Sequence, residues 1–401
     1  MRDRMVDELA RVEAATDAAV LAAMRRVRRH AFVPHFWTLQ QSDGQQPTVR
    51  EWNIDPADIT EDDAEALALA YDIDGALSIR RSRSASSGEP IVTSSASAPR
   101  VVAWMLEQLH VRPGLRVLEI GTGSGYNAAL LRELVGPGGF VASVDIDASL
   151  VSEASARLER EGYDDIVVRA GDGYDGLASH APFDRVVATV GCLDVAPAWL
   201  AQLRPRGLCL LPLQHSSWHP LTRVALTGSG VGGSVISPSG FVSIQGRQAQ
   251  QSPWPNAYRR PLGQPQREAD HTESLSDWLA AALTPEPGRE RIGSAQLYDL
   301  SFLLAVEDRR TVSLLTLVDE DSRAWIDPIA RQIHRVGPRG SALQESLLGT
   351  MSRWRELDRP RISDYSCVFT PLDGPPPAPT GGPEWTIDRV DYRQTLRLGD
   401  S

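Results

Sequence analysis

Between residues 115 and 213, short apolar runs alternate with amphipathic stretches of helical spacing. A short apolar run is typical of a strand that is buried on both faces, and the alternation with helices indicates a parallel sheet covered on both sides. The predicted strands are residues 117–120, 140–145, 166–170, 184–190 and 207–211, with a helix over 128–134 after the first. The pattern predicts an α/β, doubly wound, Rossmann-like fold, in which a ligand binds beyond the carboxyl ends of the strands.

The residues before this region predict helices and polar connections. Residues 5–29 carry an apolar stripe at helical spacing, and residues 61–70 form a second predicted helix. Residues 38–60 and the serine-rich residues 82–97 are predicted to be irregular. We interpret the four arginines that close the first helix as a solvated helix end, with attraction of an acidic substrate as the alternative. These arginines are Arg25, Arg26, Arg28 and Arg29.

The C-terminal half predicts a second, separate unit. Residues 221–227 and 241–244 are expected to finish the first sheet, and residues 246–270, rich in Gln, Pro and Arg, form a predicted linker. The elements expected beyond it are a helix over 272–283, paired strands over 301–306 and 312–317, a helix over 343–357 and a strand over 365–370, with 375–383 in neither. The expected division is a helical, substrate-side N-terminal segment (1–80), the α/β core (81–246), the linker (247–270) and an α+β domain (271–401).

Composition argues against several classes of protein. The chain has 401 residues with 42% hydrophobic content, enough for two or three packed domains. Its net charge of −11, from 41 basic and 52 acidic residues, argues against a sequence-independent grip on nucleic acid. The N-terminus lacks the apolar core of a signal peptide, and no apolar run approaches the length of a membrane span. We therefore expect a cytoplasmic protein with no nucleic-acid or membrane partner.

No metal site is expected from the cysteines and histidines. Cys192, Cys209 and Cys367 are widely spaced, which gives neither a zinc motif nor a disulfide framework and favours a reducing compartment. Cys192 follows the fourth strand, but without a partnering histidine nearby we interpret it as a small apolar filler. His215 and His219 have the spacing of two metal ligands on a helix, but they follow a strand and precede a proline.

Glycines stand at every second position after the first predicted strand, at Gly121, Gly123 and Gly125. Glycine tolerates the backbone angles of a tight turn into a helix, and it lets the main chain approach a ligand closely. The spacing differs from the G-x-G-x-x-G of dehydrogenases, and an acid at Glu119 suits a cationic ligand better than a phosphate. The amino and sulfonium groups of S-adenosylmethionine fit that requirement.

The next two strands also end in acids beside open turns. Asp145, followed by Ile146, ends the second strand, where a carboxylate can accept hydrogen bonds from both ribose hydroxyls. The third strand runs into Gly171, Asp172 and Gly173, where a short acid flanked by glycines can approach an adenine amino group. The agreement of three consecutive strand ends predicts a nucleoside-binding edge of the sheet.

Ser97, Ala98 and Pro99 stand before the first strand of the sheet region. Pro99 is expected to open a helix over 101–109, because the fixed φ of proline suits the first turn. From spacing alone, Ser97 is interpreted as the cap of that helix.

Two N-terminal segments carry a resemblance to a known family. Residues 23–34 (AMRRVRRHAFVP) and 71–77 (YDIDGAL), with the serine–proline segment and the glycine loop, are similar to the protein-L-isoaspartate O-methyltransferase family. The resemblance spans roughly residues 5–246, and Arg28 and Arg206 depart from the family pattern. It implies a class I methyltransferase sheet with S-adenosylmethionine as cofactor.

The resemblance also implies roles for particular residues. Ser97 becomes the active-site residue, a hydrogen-bond donor that orients a carboxylate and is not a nucleophile. The implied cofactor-binding residues are Glu119, Gly121, Thr122, Gly123, Gly125, Asp145, Ile146, Gly171, Asp172 and Gly173. The residues expected on the substrate side are Ser95, Ala98, Pro99, Val190 and Gly191.

The implied activity is methyl transfer to a carboxylate of an acidic peptide or protein. The insertion between Trp37 and Tyr71 and the C-terminal half resemble members that methylate an aspartate of a ribosomal peptide, whose ester cyclises to an aspartimide. We therefore expect peptide tailoring, with repair of isoaspartyl sites in damaged proteins as the alternative. Methylation of nucleic-acid amines is disfavoured, because no Asn-Pro-Pro-Tyr-like segment follows the fourth strand. The intact glycines disfavour a non-catalytic binding module, and the oligomeric state is left open.

Overall fold

The computed structural model describes residues 1–40, 48–83, 90–216, 218–228, 230–251, 269–275, 294–328 and 330–399. The chain divides into two compact units, neither of which is continuous in sequence. The first unit comprises Met1–Gly191, Val195–Leu211 and Phe241–Gln250, and the second comprises Cys192–Asp194, Pro212–Gly240 and Gln251–Ser401. The predicted boundaries after residues 80, 246 and 270 stay a proposal. Among the described helices, none combines the length and apolar character needed to cross a membrane.

Helices form the N-terminal part of the first unit. They are α1 (Arg2–Arg11), α2 (Ala18–Arg26), α3 (Arg29–Phe32) and α4 (Ala64–Ala70). The single helix predicted over 5–29 is wrong. Glu13 adopts a φ of 55° after α1, and the Asp17 carboxylate then caps α2 by accepting a hydrogen bond from the Ala19 amide at 2.8 Å. The helix α4 confirms the prediction over 61–70.

A small antiparallel sheet occupies stretches that were predicted to be irregular. Its strands are β1 (His35–Gln40), β2 (Thr48–Asn53), β3 (Leu77–Arg83) and β4 (Pro90–Ala96), in the order β2-β1-β3-β4. The irregular structure predicted over 38–60 and 82–97 is therefore wrong for these described residues. Leu77 and Ile79 bury one face of β3, but the arginines and serines beside them obscure the alternation in the sequence.

A parallel sheet forms the centre of the first unit, as the apolar runs predict. Its strands are β5 (Arg116–Ile120), β6 (Phe140–Asp145), β7 (Val167–Ala170), β8 (Phe183–Ala188) and β9 (Leu203–Pro212), in the order β9-β8-β5-β6-β7. Leu118 pairs with Ala142 on one side and with Val186 on the other. The strand order reverses beside β5, and a crevice for ligands opens at such a point.

Helices connect these strands and enclose the core of the first unit. They are α5 (Pro99–Leu109), α6 (Tyr126–Val135), α7 (Ala148–Arg160) and α8 (Pro197–Ala201). Leu118 of β5 and Leu130 of α6 are both fully buried. Burying a leucine side chain contributes about 1.5–3 kcal/mol, so the sheet and its helices stabilise one another. The predicted doubly wound α/β fold is confirmed.

The second unit contains two sets of antiparallel strands. Its strands in chain order are β10 (Leu221–Thr227), β11 (Gly230–Ser237), β12 (His271–Ser274), β13 (Thr311–Ser313), β14 (Thr316–Asp319), β15 (Ser322–Asp327), β16 (Gln332–Val336), β17 (Tyr365–Pro371), β18 (Glu384–Asp388) and β19 (Tyr392–Leu398). In one set the neighbouring strands follow the order β18-β19-β17-β11-β10, and in the other, a five-stranded sheet, they follow the order β12-β16-β15-β14-β13. The helices α9 (Ser294–Glu307) and α10 (Gly340–Glu356) share a core with the second sheet through Leu303, Leu347 and Ile326.

Several predictions for the C-terminal half are wrong. The strand predicted over 301–306 lies within α9, because a short buried apolar run has no period that separates a strand from a helix. The first residues of the helix predicted over 272–283 belong to the strand β12 instead. The run 241–244 contains only an isolated bridge at Ser243. The remainder of that helix and most of the predicted linker lie outside the described residues.

Other predictions for this half are confirmed. The helix predicted over 343–357 corresponds to α10, and the strand predicted over 365–370 corresponds to β17. By contrast, the single strand predicted over 312–317, expected to pair with 301–306, is wrong, because this stretch folds as the hairpin of β13 and β14 and 301–306 is helical. Residues 375–383 belong to neither helix nor strand.

Candidate active site

A tight turn joins β5 to α6 at the carboxyl edge of the parallel sheet. Gly121 has a φ of 99° and Gly125 a φ of 88°, values that favour glycine. A Cβ at Gly121 would lie 2.7 Å from the Oγ1 of Thr189, the residue after β8. That hydroxyl donates a hydrogen bond to the Gly121 carbonyl at 2.7 Å. The loop thus passes directly against the neighbouring strand end, with no room for a side chain at Gly121.

Asp145, the last residue of β6, holds this loop in place. Its Oδ2 accepts a hydrogen bond from the Gly123 amide at 2.9 Å, and its Oδ1 accepts one from the Asp147 amide at 3.0 Å. A carboxylate offers about four lone-pair sites, so both oxygens can accept further hydrogen bonds. The arrangement suits recognition of a ribose diol.

A cavity of about 390 Å³ opens beyond the strand ends. Ligand sites for small molecules typically measure about 300–1,000 Å³, so a nucleoside-sized cofactor has room here. The residues in its wall that the sequence predicts are Ser95, Gly121, Gly123, Asp145, Ile146, Gly173 and Val190. Gly125 instead begins α6 behind the turn.

Asp172, Gly171 and Gly191 are placed beside the cavity, where hydrogen bonds engage them. The Asp172 carboxylate accepts from the Tyr174 amide at 3.0 Å and from the Arg247 amide at 2.8 Å. The Gly171 amide donates to the Asp145 carbonyl, and the Gly191 amide donates to the Val242 carbonyl, each at 2.9 Å. A contact between Asp172 and adenine stays a prediction.

A second, smaller cavity of about 50 Å³ adjoins the first and shares Ser95, Gly121, Gly123 and Thr189 with it. The predicted residues Ser97, Glu119 and Thr122 also line it. The Glu119 side chain is fully buried and accepts hydrogen bonds from Asn127 Nδ2 at 2.8 Å and Ser143 Oγ at 2.6 Å. Burial raises the pKa of Glu119 to about 7 despite these bonds.

Ser97 lies in the short connection between β4 and α5. Pro99 is the first residue of α5, as predicted, but the cap position is Ala98, and no side chain caps the helix. The interpretation of Ser97 as a helix cap is therefore wrong. Ser97 instead lines the small cavity, while Ala98 and Pro99 set the start of the helix behind it.

Several residues of the two cavities are missed by the sequence predictions. Arg29 lines the small cavity and is 0% exposed. The interpretation of the four arginines as a solvated helix end is therefore wrong for this arginine. Arg80, Arg81 and Gln245 line the large cavity. Arg80 and Arg81 belong to β3, which the sequence does not predict as a strand. The similarity of residues 23–34 to the family is the signal that includes Arg29.

The cysteines and histidines lie elsewhere. Among the described residues, no group of three or more His, Cys, Asp or Glu side chains could hold a metal ion. Cys192 is buried in the second unit, as a small apolar filler would be. His215 is also buried there, and its ring contacts the Leu213 carbonyl at 3.0 Å and the Gln394 side chain at 3.1 Å.

The reversal of strand order, the glycine turn after β5 and the acid at the end of β6 define a class I S-adenosylmethionine-dependent methyltransferase. Residues 78–249 match the family model for protein-L-isoaspartate(D-aspartate) O-methyltransferase. The protein-L-isoaspartate O-methyltransferase of Gloeobacter violaceus is 33% identical over 248 residues, which cover 62% of this chain and 100% of that protein. The chain belongs to the protein-L-isoaspartate O-methyltransferase family.

Two further comparisons agree with this assignment. The protein-L-isoaspartate O-methyltransferase of Opitutus terrae is 35% identical over 212 residues, or 53% of this chain and 72% of that protein. A solved structure of a protein-L-isoaspartate O-methyltransferase, 19% identical, has a TM-score of 0.50 and covers 92% of this chain and 96% of its own. That likeness concerns the fold alone. The chain is thus an S-adenosylmethionine-dependent carboxyl O-methyltransferase that acts on protein or peptide.

Proposed function

We propose that the enzyme methylates the free carboxylate of isoaspartyl residues in damaged proteins. The observation that supports this proposal is that this chain matches the Gloeobacter violaceus protein-L-isoaspartate O-methyltransferase over 100% of that protein's length at 33% identity. The C-terminal half does not favour tailoring over repair, because the solved protein-L-isoaspartate O-methyltransferase shares the fold over 92% of this chain. Tailoring of a ribosomal peptide, with its ester leading to an aspartimide, stays a prediction that the same experiment tests.

We assign the nucleoside end of S-adenosylmethionine to the large cavity and its methionine end to the small one. The backbones of Gly121 and Gly123 allow close approach, and Asp145 accepts hydrogen bonds from the ribose. Glu119 offers a carboxylate to the cationic groups. When bound, the cofactor supplies an electrophilic methyl group.

The chain's own residues then have a limited task. A carboxylate is ionised at pH 7, so the site needs no general base to activate it. Alignment and close approach are the main requirements. The Ser97 hydroxyl, in the wall of the small cavity, donates a hydrogen bond that orients the substrate carboxylate, and Ser95 borders both cavities. An acidic group is thus held at the junction of the two cavities.

Two peptides that differ only in an isoaspartyl or an aspartyl residue at one position test the substrate class. With methyl-labelled cofactor, base-labile label should enter the isoaspartyl peptide about 100-fold faster, a difference of roughly 3 kcal/mol in transition-state free energy. Ser97→Ala should lower kcat by about ten- to a hundredfold, because a hydrogen bond to a charged group contributes about 1.5–3 kcal/mol. Ser152→Ala, at an exposed position of α7, is the matched control.

The contrary outcomes are distinct. Preferential label in the aspartyl peptide would favour tailoring over repair. Base-stable label would exclude carboxyl methylation as the reaction. Wild-type turnover in Ser97→Ala would remove Ser97 from the active site and leave the substrate class standing.

A further inference from the structure

Arg29, the first residue of α3, is a fully buried arginine in the wall of the small cavity. Its Nε donates a hydrogen bond to the Ala70 carbonyl at 2.7 Å, and its Nη2 donates one to the Ser97 carbonyl at 2.8 Å. The guanidinium carbon lies 5.0 Å from the centroid of the Tyr126 ring. The remaining nitrogen, Nη1, is buried and has no hydrogen-bond partner among the described residues.

The neighbouring arginines on this helical segment all have carboxylate partners. Arg25 pairs with Asp7, Arg26 with Glu133 and Arg28 with Glu161. Within the described part of the chain, no ion pair includes Arg29, and its two hydrogen bonds go to neutral carbonyls. A buried charge without a counter-ion is strongly destabilising, so an anionic group that reached Arg29 would relieve that cost.

Glu119 lines the same cavity but does not act as this counter-ion. Its carboxylate is hydrogen-bonded to Asn127 and Ser143, and among the described residues no hydrogen bond or ion pair joins it to Arg29. Its pKa of about 7 leaves it only partly ionised at neutral pH. The positive charge of Arg29 is therefore left for a ligand.

The size of the small cavity limits what that ligand group can be. The cavity measures about 50 Å³, whereas a cavity needs about 10–15 Å³ on the same measure to hold one water molecule. A carboxylate is small enough, and one of its oxygens can accept a charge-assisted hydrogen bond from Nη1. Ser95 and Ser97 contribute further hydroxyl groups to the same wall.

We propose that Arg29 binds a carboxylate in the small cavity and, through Nη2, holds the main chain at Ser97. This inference rests on the proposed function, under which the carboxylate comes from one of two sources. It belongs either to the methionine end of the cofactor or to the acceptor group of the peptide. Both present the same chemistry to Arg29. The first source predicts a loss of cofactor affinity when Arg29 is replaced, and the second predicts a rise in KM for the peptide.

Calorimetry with S-adenosylhomocysteine, which carries the methionine carboxylate, separates the two sources without peptide. If the cofactor is the source, Arg29→Met should weaken binding by about ten- to a hundredfold, the effect of one charge-assisted hydrogen bond. A decarboxylated analogue should bind wild type correspondingly more weakly, with no further loss in Arg29→Met. Arg28→Met, which loses the ion pair with Glu161 at a position in the wall of neither cavity, is the control.

The peptide arm uses whichever peptide the wild type methylates. If the peptide is the source, cofactor affinity in Arg29→Met stays as in wild type, while KM for the peptide rises by about tenfold or more. If Arg29→Met does not fold, the same measurements are made on Arg29→Lys, which keeps the positive charge but lacks the planar set of guanidinium donors. Cofactor affinity and peptide KM both within about twofold of wild type would overturn the proposal. If the proposed substrate class is wrong, the calorimetric result can still be interpreted, because that measurement uses no peptide.

Discussion

At the scale of single residues, Glu119 is a buried carboxyl group whose ionisation a bound cation would favour. Burial raises its pKa to about 7 against the opposing effect of its hydrogen bonds from Ser143 and Asn127. If the cationic end of S-adenosylmethionine lies beside it, binding selects the ionised form. Cofactor affinity should then rise by about tenfold between about pH 5.5 and pH 7, in step with the ionised fraction. Calorimetry at the two pH values measures this.

Two variants give this measurement its controls. Glu119→Gln keeps the size of the side chain but does not titrate, so its affinity should not change with pH. Asp145→Asn should weaken binding at both pH values by about tenfold, because the ribose loses an ionised acceptor. A wild-type affinity that is independent of pH would remove Glu119 from the cofactor site, and an unaltered affinity in Asp145→Asn would remove Asp145.

Asp145 and Arg29 differ in how far the sequence could predict them. Asp145 ends an apolar run, so local pattern places its carboxylate at the strand edge. Arg29 is buried by groups far along the chain, at Ala70 and Ser97, and nothing in its own helix shows that. Burial of a charged residue depends on tertiary packing, which periodicity does not record.

At the scale of the element, two of the three glycines in the turn between β5 and α6 have different surroundings. A Cβ at Gly123, where φ is 50°, would have Ser94 Oγ as its nearest neighbour at 3.6 Å. At Gly121, where φ is 99°, it would meet Thr189 Oγ1 at 2.7 Å. Gly123→Ala should lower the free energy of unfolding by about 1–2 kcal/mol, the ordinary cost of a left-handed residue. Gly121→Ala should lower it further, because Thr189 must also move. Urea denaturation compares the two.

Gly162 is the control for these glycines. It follows α7 with a φ of 82°, and a Cβ there would meet nothing within 4 Å. Gly162→Ala therefore measures the cost of a positive φ without a steric contact. A loss in Gly121→Ala no larger than that in Gly162→Ala would contradict the close packing described for the turn.

The strands differ in how visible they are in the sequence. The parallel strands β5, β6 and β8 are buried along most of their length, so each is a nearly continuous apolar run. β3 buries one face only, and arginines occupy much of the rest. In α9, buried residues leave no polar face to reveal a helical period. Two-sided burial thus makes a short strand easy to predict and a helix easy to mistake.

At the scale of the whole molecule, the composition of the two compact units was not predictable from segments. The second unit includes Cys192–Asp194 and Pro212–Gly240, which lie within the residues assigned from sequence to the α/β core. Local signals such as proline-rich linkers mark only divisions between consecutive segments. Whether the predicted four-part division describes independent folding units stays a proposal.

Buried titratable groups of opposite kind affect the stability of the whole chain. Burial raises the pKa of Glu119 to about 7, above its pKa in the unfolded chain. As the pH falls from about 7 towards that unfolded pKa, the folded state binds the proton more tightly and is therefore stabilised. The pKa of His219 is lowered by burial to about 4, and that of His215 is also lowered, by burial and then by Arg389. Both histidines stay neutral in the folded state. Below about pH 6.5 they become protonated in the unfolded chain before they do in the folded chain, so acidification favours unfolding.

These opposing effects predict how single variants change the pH dependence of unfolding. Between about pH 7.5 and pH 5, His219 should contribute a loss of roughly 2 kcal/mol, and Glu119 a gain of similar size. His219→Gln should therefore make the acid loss smaller by about 2 kcal/mol, whereas Glu119→Gln should make it larger by about 2 kcal/mol. Urea denaturation of wild type and both variants across this range measures the difference. If either variant keeps the wild-type pH dependence, the replaced group does not titrate differently in the folded and unfolded states.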